Sequence, residues 1–173
     1  MPAKLQSDAQ VAESITCILS DVDGVMTDGR LIYHSGGEET KAFHARDGLA
    51  IKMWMAAGFS FGIVTARKSP IIDRRSSELG IAHVAQGSDA KVEKAETLLG
   101  EIGCDLTNVC YIGDDLPDIP VMTRSGLAAA PADAATDARE AAQWVLRSRG
   151  GEGAVREVIE RLMRAKGCWN AVA

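Results

Sequence analysis

Ile15-Thr16-Cys17-Ile18-Leu19-Ser20-Asp21-Val22-Asp23-Gly24 is the stretch from which the architecture of the chain can be inferred. Its apolar first half predicts a short buried strand, and the carboxylates Asp21 and Asp23 follow where that strand ends. Gly24 permits the tight turn that brings both into one cleft. There, one carboxylate can attack an electrophile while the other moves a proton. Asp and Gly are also common in ordinary polar turns, so the other strand ends decide between these interpretations.

Apolar runs and helical stretches alternate along the rest of the chain. Further strands are predicted at 60–64, 82–85, 108–112, 126–129 and 144–146. Helices are predicted at 48–57, 70–79, 90–102, 117–123, 134–142 and 153–166. This alternation predicts an α/β fold, a Rossmann-like parallel sheet with helices on both faces. Functional sites in such sheets lie beyond the carboxyl ends of the strands.

One segment interrupts the alternation directly after the two aspartates. Residues 30–34 and 39–43 flank Ser35-Gly36-Gly37, which predicts an inserted β-hairpin. We expect this hairpin to overhang the site as a flap. It is too short to be a separate cap domain, so the sequence predicts a capless fold.

The length of 173 residues suits one domain with a good core. We divide the chain into a loose N-terminal arm at 1–14, a single domain at 15–166 and a C-terminal tail at 167–173. The arm lacks the apolar centre of a signal peptide, and no apolar stretch approaches the roughly 20 residues of a membrane span. The formal charge of −5 gives no basic surface, so we expect neither nucleic acid nor a membrane as a partner.

The cysteines and histidines do not form a metal-binding pattern. Cys17, Cys104, Cys110 and Cys168 form no Cys-x-x-Cys pair, and the three histidines are scattered. This spacing argues against a structural zinc site. Buried free thiols indicate a reducing compartment, so we expect a cytoplasmic protein.

Two more strand–helix junctions carry side chains suited to a phosphate. Thr65 follows the strand at 60–64, and the next helix has its own start at Ser69-Pro70, which leaves the Thr65 hydroxyl free. Lys91 lies in the first turn of a helix, where a cation opposes the helix dipole unless an anion binds nearby. Both positions therefore predict contacts to an anion.

A fourth junction is acidic. Asp114, Asp115 and Asp118 follow the strand at 108–112. Acids at a helix start can be ordinary caps. Together with Asp21 and Asp23, however, they offer the hard oxygen ligands that suit Mg²⁺.

These four junctions in combination resemble the haloacid dehalogenase superfamily of phosphotransferases. The matching motifs are Asp21-Val22-Asp23-Gly24, Thr65, Lys91 and Gly113-Asp114-x-x-x-Asp118. The chain contains no P-loop, so a nucleotide-driven kinase is not expected.

A narrower resemblance covers residues 15–166. Its segments are Asp21-Val22-Asp23-Gly24-Val25-Met26-Thr27-Asp28-Gly29, Phe43-His44-Ala45-Arg46-Asp47-Gly48, Gly113-Asp114-Asp115-Leu116-Pro117-Asp118 and Gly150-Gly151-Glu152-Gly153-Ala154-Val155-Arg156-Glu157. They are similar to those of the 3-deoxy-D-manno-octulosonate 8-phosphate phosphatases. The resemblance implies a capless, Mg²⁺-dependent homotetramer that releases phosphate from an eight-carbon keto sugar acid during lipopolysaccharide precursor synthesis. It also implies that the hairpin helps to build the oligomer and that a neighbouring subunit covers each site.

The resemblance assigns a role to each catalytic residue. Asp21 is expected to attack phosphorus and form an aspartyl phosphate. Asp23 is expected to protonate the leaving hydroxyl and then to activate the water that cleaves the intermediate. Thr65 and Lys91 are expected to neutralise the transferring oxygens, since electrostatic stabilisation dominates such chemistry.

The resemblance also assigns the metal ligands. The carboxylates of Asp21 and Asp114 and the backbone carbonyl of Asp23 are expected to hold Mg²⁺, while Asp115 and Asp118 orient the surrounding ligands and waters.

The expected substrate-binding residues are Arg46, Asp47, Gly48, Arg67 and Arg156. Arg46 and Arg67 are candidates for the sugar-acid carboxylate or the phosphate, because a guanidinium holds such groups with two parallel hydrogen bonds. Arg156 is expected to act at a neighbouring subunit's site.

Two alternatives remain at this point. One is a phosphatase for a nine-carbon keto sugar acid 9-phosphate, although that type carries an acidic residue where this chain has Arg67. The other is a non-catalytic oligomerisation module, a class that often loses the nucleophile or the motif acids, all of which this chain retains.

Overall fold

The computed structural model describes residues 7–169. Six parallel strands form one sheet: β1 (Cys17–Ser20), β4 (Ser60–Thr65), β5 (His83–Gln86), β6 (Val109–Ile112), β7 (Leu127–Ala130) and β8 (Trp144–Val145). Their order across the sheet is β5-β4-β1-β6-β7-β8. The predicted α/β fold is confirmed.

The helices are α1 (Asp8–Ser14), α2 (Ala45–Ala56), α3 (Pro70–Leu79), α4 (Lys91–Ile102), α5 (Ile119–Met122), α6 (Thr136–Ala141) and α7 (Ala154–Ala165). The helix expected at 48–57 begins earlier, because His44 caps it by accepting a hydrogen bond from the Arg46 amide. The helix expected at 117–123 is a 3-10 turn, Leu116–Asp118, followed by the short α5.

The core consists of two apolar layers, one on each side of the sheet. Successive side chains of a strand point to opposite faces. Ile18 therefore packs in the layer that holds α2, α3 and α7, while Cys17 and Leu19 pack in the layer that holds α4, α5 and α6. All four residues of β1 are fully buried, as expected for a strand covered by helices on both faces.

The predicted hairpin consists of β2 (Ile32–Tyr33) and β3 (Glu39–Thr40), paired antiparallel in a separate two-stranded sheet. Its strands are shorter than the expected spans of 30–34 and 39–43. Leu31, Ile32 and Tyr33 are 45%, 44% and 63% exposed, so the hairpin presents apolar side chains outward.

Residues 8–14 do not form the loose arm that the sequence predicted. They form α1, which Ser7 caps and which packs against α7 through the buried Ala12 and two hydrogen bonds from Arg161 to Asp8. The prediction of looseness is wrong for this segment, because one apolar face was enough to dock it. The remainder of the expected arm, 1–6, and the tail positions 170–173 lie outside the described residues.

Candidate active site

The carboxyl ends of β1, β4 and β6 meet at one cleft of about 280 Å³. Its lining includes seven of the predicted catalytic, metal-binding and supporting residues: Asp21, Asp23, Thr65, Lys91, Asp114, Asp115 and Asp118. β1 lies between β4 and β6, so its first residue after the strand, Asp21, stands at the middle of the edge. The parallel register thus gathers groups that are far apart in sequence.

Asp21 is buried and oriented from two sides. Its Oδ1 accepts a hydrogen bond from the Val22 amide at 2.7 Å, and its Oδ2 lies 2.9 Å from the Lys91 Nζ. Burial and the nearby Asp118 carboxylate raise the pKa of Asp21 to about 6, against the lowering effect of Lys91. The carboxylate is therefore held in a fixed direction at the floor of the cleft.

Lys91 bridges Asp21 and Asp118. Its Nζ also donates to Asp118 Oδ1 at 2.7 Å, and the side chain is 4% exposed. Burial alone would lower the pKa of Lys91, but the two carboxylates outweigh it and raise the pKa. Lys91 thus stays charged inside the cleft and can stabilise an anion there.

Asp118 is fully buried and saturated with donors. Its Oδ1 accepts from Lys91 Nζ and from the Tyr111 hydroxyl at 2.7 Å, and its Oδ2 accepts from the amides of Asp114 and Asp115 at 3.1 and 3.3 Å. These contacts tie together β6, its following loop and Lys91. Tyr111 was not identified from the sequence, because the sequence of an apolar strand does not show which polar group a tyrosine hydroxyl in it will contact.

Three carboxylates converge in a manner that fits a divalent cation. Oxygens of Asp21, Asp114 and Asp118 lie within 4.8 Å of one another. Burial and the carboxylates of Asp21 and Asp118 raise the pKa of Asp114 to about 8, because a buried cluster of like charges disfavours the ionised form. Gly24 makes room for Asp114: a Cβ at Gly24 would lie 2.0 Å from Asp114 Oδ2.

Of these three acids, Asp118 has its oxygens engaged by protein donors, which leaves Asp21 and Asp114 as the carboxylates suited to the metal. Asp115 caps the 3-10 turn by accepting from the Leu116 amide at 2.8 Å, while lining the cleft. The expected metal contact of the Asp23 carbonyl stays a prediction.

Thr65 is 2% exposed and ends β4 at the cleft wall. The next helix is capped by Ser69, whose hydroxyl accepts from the Ile71 amide at 3.3 Å. The Thr65 hydroxyl is therefore not used as the cap of α3.

Asp23 is part of an ionic network with the hairpin. Its Oδ1 accepts a hydrogen bond from Lys41, and its Oδ2 lies 3.7 Å from Arg67 Nε. Arg67 donates to Glu39 and to the Tyr33 hydroxyl, both at 3.1 Å. Lys41 was not identified as a site residue from the sequence. Its alternation with Glu39 in the predicted hairpin was the only available signal, and this pattern does not show which face of the hairpin contacts the site.

The other expected substrate-binding residues lie elsewhere in this chain. Arg46 and Arg156 line a second, larger cleft of about 720 Å³ beside α7. Asp47 is buried, and its Oδ1 accepts from the Arg156 amide at 2.7 Å, which caps the start of α7. At Gly48 a Cβ would lie 2.5 Å from an Arg75 nitrogen, so its small size serves packing between helices.

The turn before α7 supports the loop that follows Asp23. The Gly151 amide donates to the Val25 carbonyl at 3.0 Å. A Cβ at Gly151 would lie 2.5 Å from the Asp28 amide nitrogen, and its φ of +70° favours glycine. This close backbone packing holds the loop that follows Asp23 against the turn before α7.

Comparison with known proteins places this geometry in a known group. The family described as haloacid dehalogenase-like hydrolase matches residues 69–159. The 3-deoxy-D-manno-octulosonate 8-phosphate phosphatase of Escherichia coli K12 is 42% identical over 156 residues, which are 90% of this chain and 83% of that protein. The Yersinia pestis phosphatase of the same name is 41% identical over 157 residues, 91% of this chain and 84% of that one.

Solved structures agree. The crystal structure of the Yersinia pestis phosphatase superposes with a TM-score of 0.92 at 40% identity, covering 94% of this chain and 89% of that one. The crystal structure of the Moraxella catarrhalis phosphatase of the same name, in complex with a magnesium ion, a phosphate ion and a KDO molecule, gives a TM-score of 0.92 at 38% identity, covering 95% of this chain and 94% of that one. Among residues 7–169, no helix is long and apolar enough to cross a membrane.

Proposed function

The chain belongs to the 3-deoxy-D-manno-octulosonate 8-phosphate phosphatase family of haloacid dehalogenase-like hydrolases, and we propose that it hydrolyses that eight-carbon sugar acid 8-phosphate to the free sugar acid and phosphate. The observation that carries the proposal is the meeting of Asp21, Thr65, Lys91 and Asp114 at one sheet edge. The chain covers 83% of a relative with this activity at 42% identity, which supports the same reaction here.

Asp21 is the nucleophile of the proposed reaction. The contacts from Val22 and Lys91 hold its two oxygens, so that the carboxylate faces the cleft in a defined direction. Attack on phosphorus forms an aspartyl phosphate and releases the sugar hydroxyl oxygen. Lys91 then faces the transferring oxygens, where its charge offsets the charge of the transition state.

Asp23 is the proposed acid and base. It gives a proton to the departing oxygen and afterwards takes one from the water that cleaves the aspartyl phosphate. Thr65 supplies a buried hydroxyl for a phosphate oxygen. These roles are the ones that the family resemblance implies, and both residues line the cleft as the roles require.

Asp21 and Asp114, with the Asp23 carbonyl, are the proposed Mg²⁺ ligands, and Asp115 and Asp118 are the proposed supporting residues. Bound Mg²⁺ supplies charge neutralisation for the phosphate and for the acidic cluster. A relative with magnesium in its structure supports this choice of ion.

Arg67 is the proposed contact for the substrate carboxylate, since it lines the cleft and is 41% exposed at its side chain. Arg46, Asp47, Gly48 and Arg156 lie outside this cleft, so we propose that they act between subunits of a homotetramer or through packing. The outward apolar face of the hairpin supports such assembly. The four free cysteines support a cytoplasmic location.

The decisive experiment measures kcat/KM with Mg²⁺ on eight- and nine-carbon keto sugar acid phosphates beside hexose phosphates. We expect the eight-carbon substrate to be preferred. Preference for the nine-carbon 9-phosphate would replace the substrate assignment, and no turnover of any monoester would favour a non-catalytic module.

Asp21→Asn is the control for the mechanism. It is expected to abolish turnover while preserving the fold and Mg²⁺-dependent phosphate binding. Turnover within about tenfold of the unaltered protein would contradict the covalent mechanism.

A further inference from the structure

Lys41 is a buried cation that belongs to the hairpin and not to any motif strand. Its side chain is 1% exposed. Its Nζ contacts Asp23 Oδ1 and lies 3.3 Å from Glu39 Oε1. Burying an ammonium group is costly unless it is paired and hydrogen-bonded, and here two carboxylates pair with it.

The two oxygens of Asp23 have different surroundings. Oδ1 is engaged by Lys41, whereas Oδ2 is buried and has no hydrogen-bond partner among the described residues. Oδ2 lies 3.7 Å from Arg67 Nε, and both Asp23 and Arg67 line the cleft. A buried acceptor without a partner is unfavourable, which points to a ligand group that pairs with it.

We propose that Lys41 is a positioning residue that fixes the Asp23 carboxylate by binding Oδ1, so that Oδ2 is the oxygen that carries the proton to the departing alcohol. In this step the bond between the Asp21 carboxylate oxygen and phosphorus forms as the bond from phosphorus to the alcohol oxygen breaks. The Oδ2–H bond of Asp23 breaks, and the departing alcohol oxygen takes that proton. The inference rests on the proposed function, because it needs Asp23 to act as the acid.

Lys41 does not act alone in holding this geometry. Glu39 contacts Lys41 and Arg67, and Asp23 also lies between these two cations. The four charges therefore alternate in sign around a closed ring. The hairpin supplies Glu39 and Lys41, while the two strand ends supply Asp23 and Arg67, so the ring ties the flap to the acid.

The test uses leaving groups that differ in their need for a proton. A nitrophenyl phosphate releases a stable anion without an acid, whereas an alkyl phosphate needs one. General acid catalysis contributes about 10²–10⁴-fold, so Lys41→Met should lower kcat/KM on the alkyl ester by about 100-fold. We expect at least about tenfold less loss on the nitrophenyl ester, since kcat/KM reports the first phosphoryl transfer. The matched control is Lys52→Met, an exposed lysine on α2, which should alter neither.

A double-mutant cycle with Asp23→Asn shows whether Lys41 acts through Asp23. In the Asp23→Asn background, Lys41→Met should cause no further loss of kcat/KM on the alkyl ester. The double variant removes both members of the Lys41–Asp23 ion pair, so neither charge is left buried without the other. Equal losses of Lys41→Met on both esters, or full additivity in the cycle, would overturn the role of Lys41 while leaving the proposed function intact. The alkyl ester is the eight-carbon sugar acid 8-phosphate, and failure of the unaltered protein to hydrolyse it would overturn both proposals.

Discussion

Gly150 packs so closely on Gly24 that a Cβ at Gly150 would lie 2.0 Å from the Gly24 carbonyl oxygen. The turn before α7 therefore touches the backbone of the loop that carries the two aspartates. This contact joins residues from opposite ends of the chain, and it links the stability of the turn to the geometry of the site.

Gly150→Ala should therefore impair both stability and activity. Overpacking of this kind costs about 1–3 kcal/mol, and a displacement of the loop by about 1 Å can lower kcat by about 100-fold. Thermal unfolding and kcat with Mg²⁺ measure the two effects. Gly100→Ala is the matched control: a Cβ there meets open space inside α4, so it should stabilise by about 0.5–1 kcal/mol with unchanged activity. Full activity in Gly150→Ala would show that the contact does not position the loop.

Asp114→Ala should weaken Mg²⁺ binding more than Asp118→Ala. Asp114 has a carboxylate suited to the ion, whereas both oxygens of Asp118 accept from protein donors. Loss of a residue that supports ligands typically costs about 10–100-fold in metal affinity, and loss of a direct ligand should exceed that range. Titration calorimetry with Mg²⁺ measures both. Equal Mg²⁺ affinities in the two variants would contradict the assignment of Asp114 as a direct ligand and Asp118 as a supporting residue.

Neutralising Asp114 should stabilise the metal-free protein. The pKa of Asp114 rises from 3.8 to about 8 because of burial and the carboxylates of Asp21 and Asp118. The folded state thus binds the proton more tightly, and stability falls as pH rises from about 4 to about 8. With a chelator at about pH 8, Asp114→Asn should unfold about 4–8 °C above the unaltered protein, which corresponds to about 2 kcal/mol.

The difference in unfolding temperature between Asp114→Asn and the unaltered protein should be smaller at about pH 5. At that pH the Asp114 carboxyl of the folded protein is mostly protonated, so it destabilises the fold less. Asp137→Asn, an exposed acid in α6, is the control and should show no such pH-dependent gain. A metal-free Asp114→Asn protein that unfolds below the unaltered one at both pH values would contradict the charge repulsion inferred here.

Ile32→Asp should weaken assembly. Ile32 is 44% exposed within the apolar face of the hairpin, and a buried carboxylate there would be costly in a subunit contact. Sedimentation should show the unaltered protein as a tetramer and the variant as a smaller species. Val145→Asp, at an apolar position 50% exposed on β8, should leave the tetramer intact. A monomeric unaltered protein at micromolar concentration would exclude the proposed assembly.

The fold and the positions of the motif residues could be predicted because apolar strands alternate with helices and three of the strands end at or beside a residue with clear chemistry. Asp21, Thr65 and Asp114 follow apolar runs directly, and parallel strands end at one edge. The environment of Asp47 could not be predicted in this way. Its partner Arg156 lies on another helix, so sequence spacing gives no sign that the carboxylate is buried as a cap.

The burial of Lys41 could not be predicted from the sequence either. It follows β3 directly in a polar segment of the hairpin, a position typical of a solvated lysine, yet its side chain is almost fully buried. Burial here depends on where the hairpin folds back, which is a property of tertiary packing and not of local pattern. Residues that support a site through tertiary contacts of this kind are therefore the hardest to identify from the sequence.

The position of β1 has a consequence for the order in which the protein can fold during synthesis. β1 leaves the ribosome early, but Cys17 pairs with Ser60 on one side and with Val109 on the other. The central strand, whose four residues are all buried in the folded protein, must therefore wait for most of the chain before its second neighbour exists. Non-local parallel pairing of this kind folds slowly and leaves an unpaired apolar strand exposed to aggregation in the meantime. Refolding yield should accordingly fall as protein concentration rises, and the nascent chain is the form most in need of a chaperone.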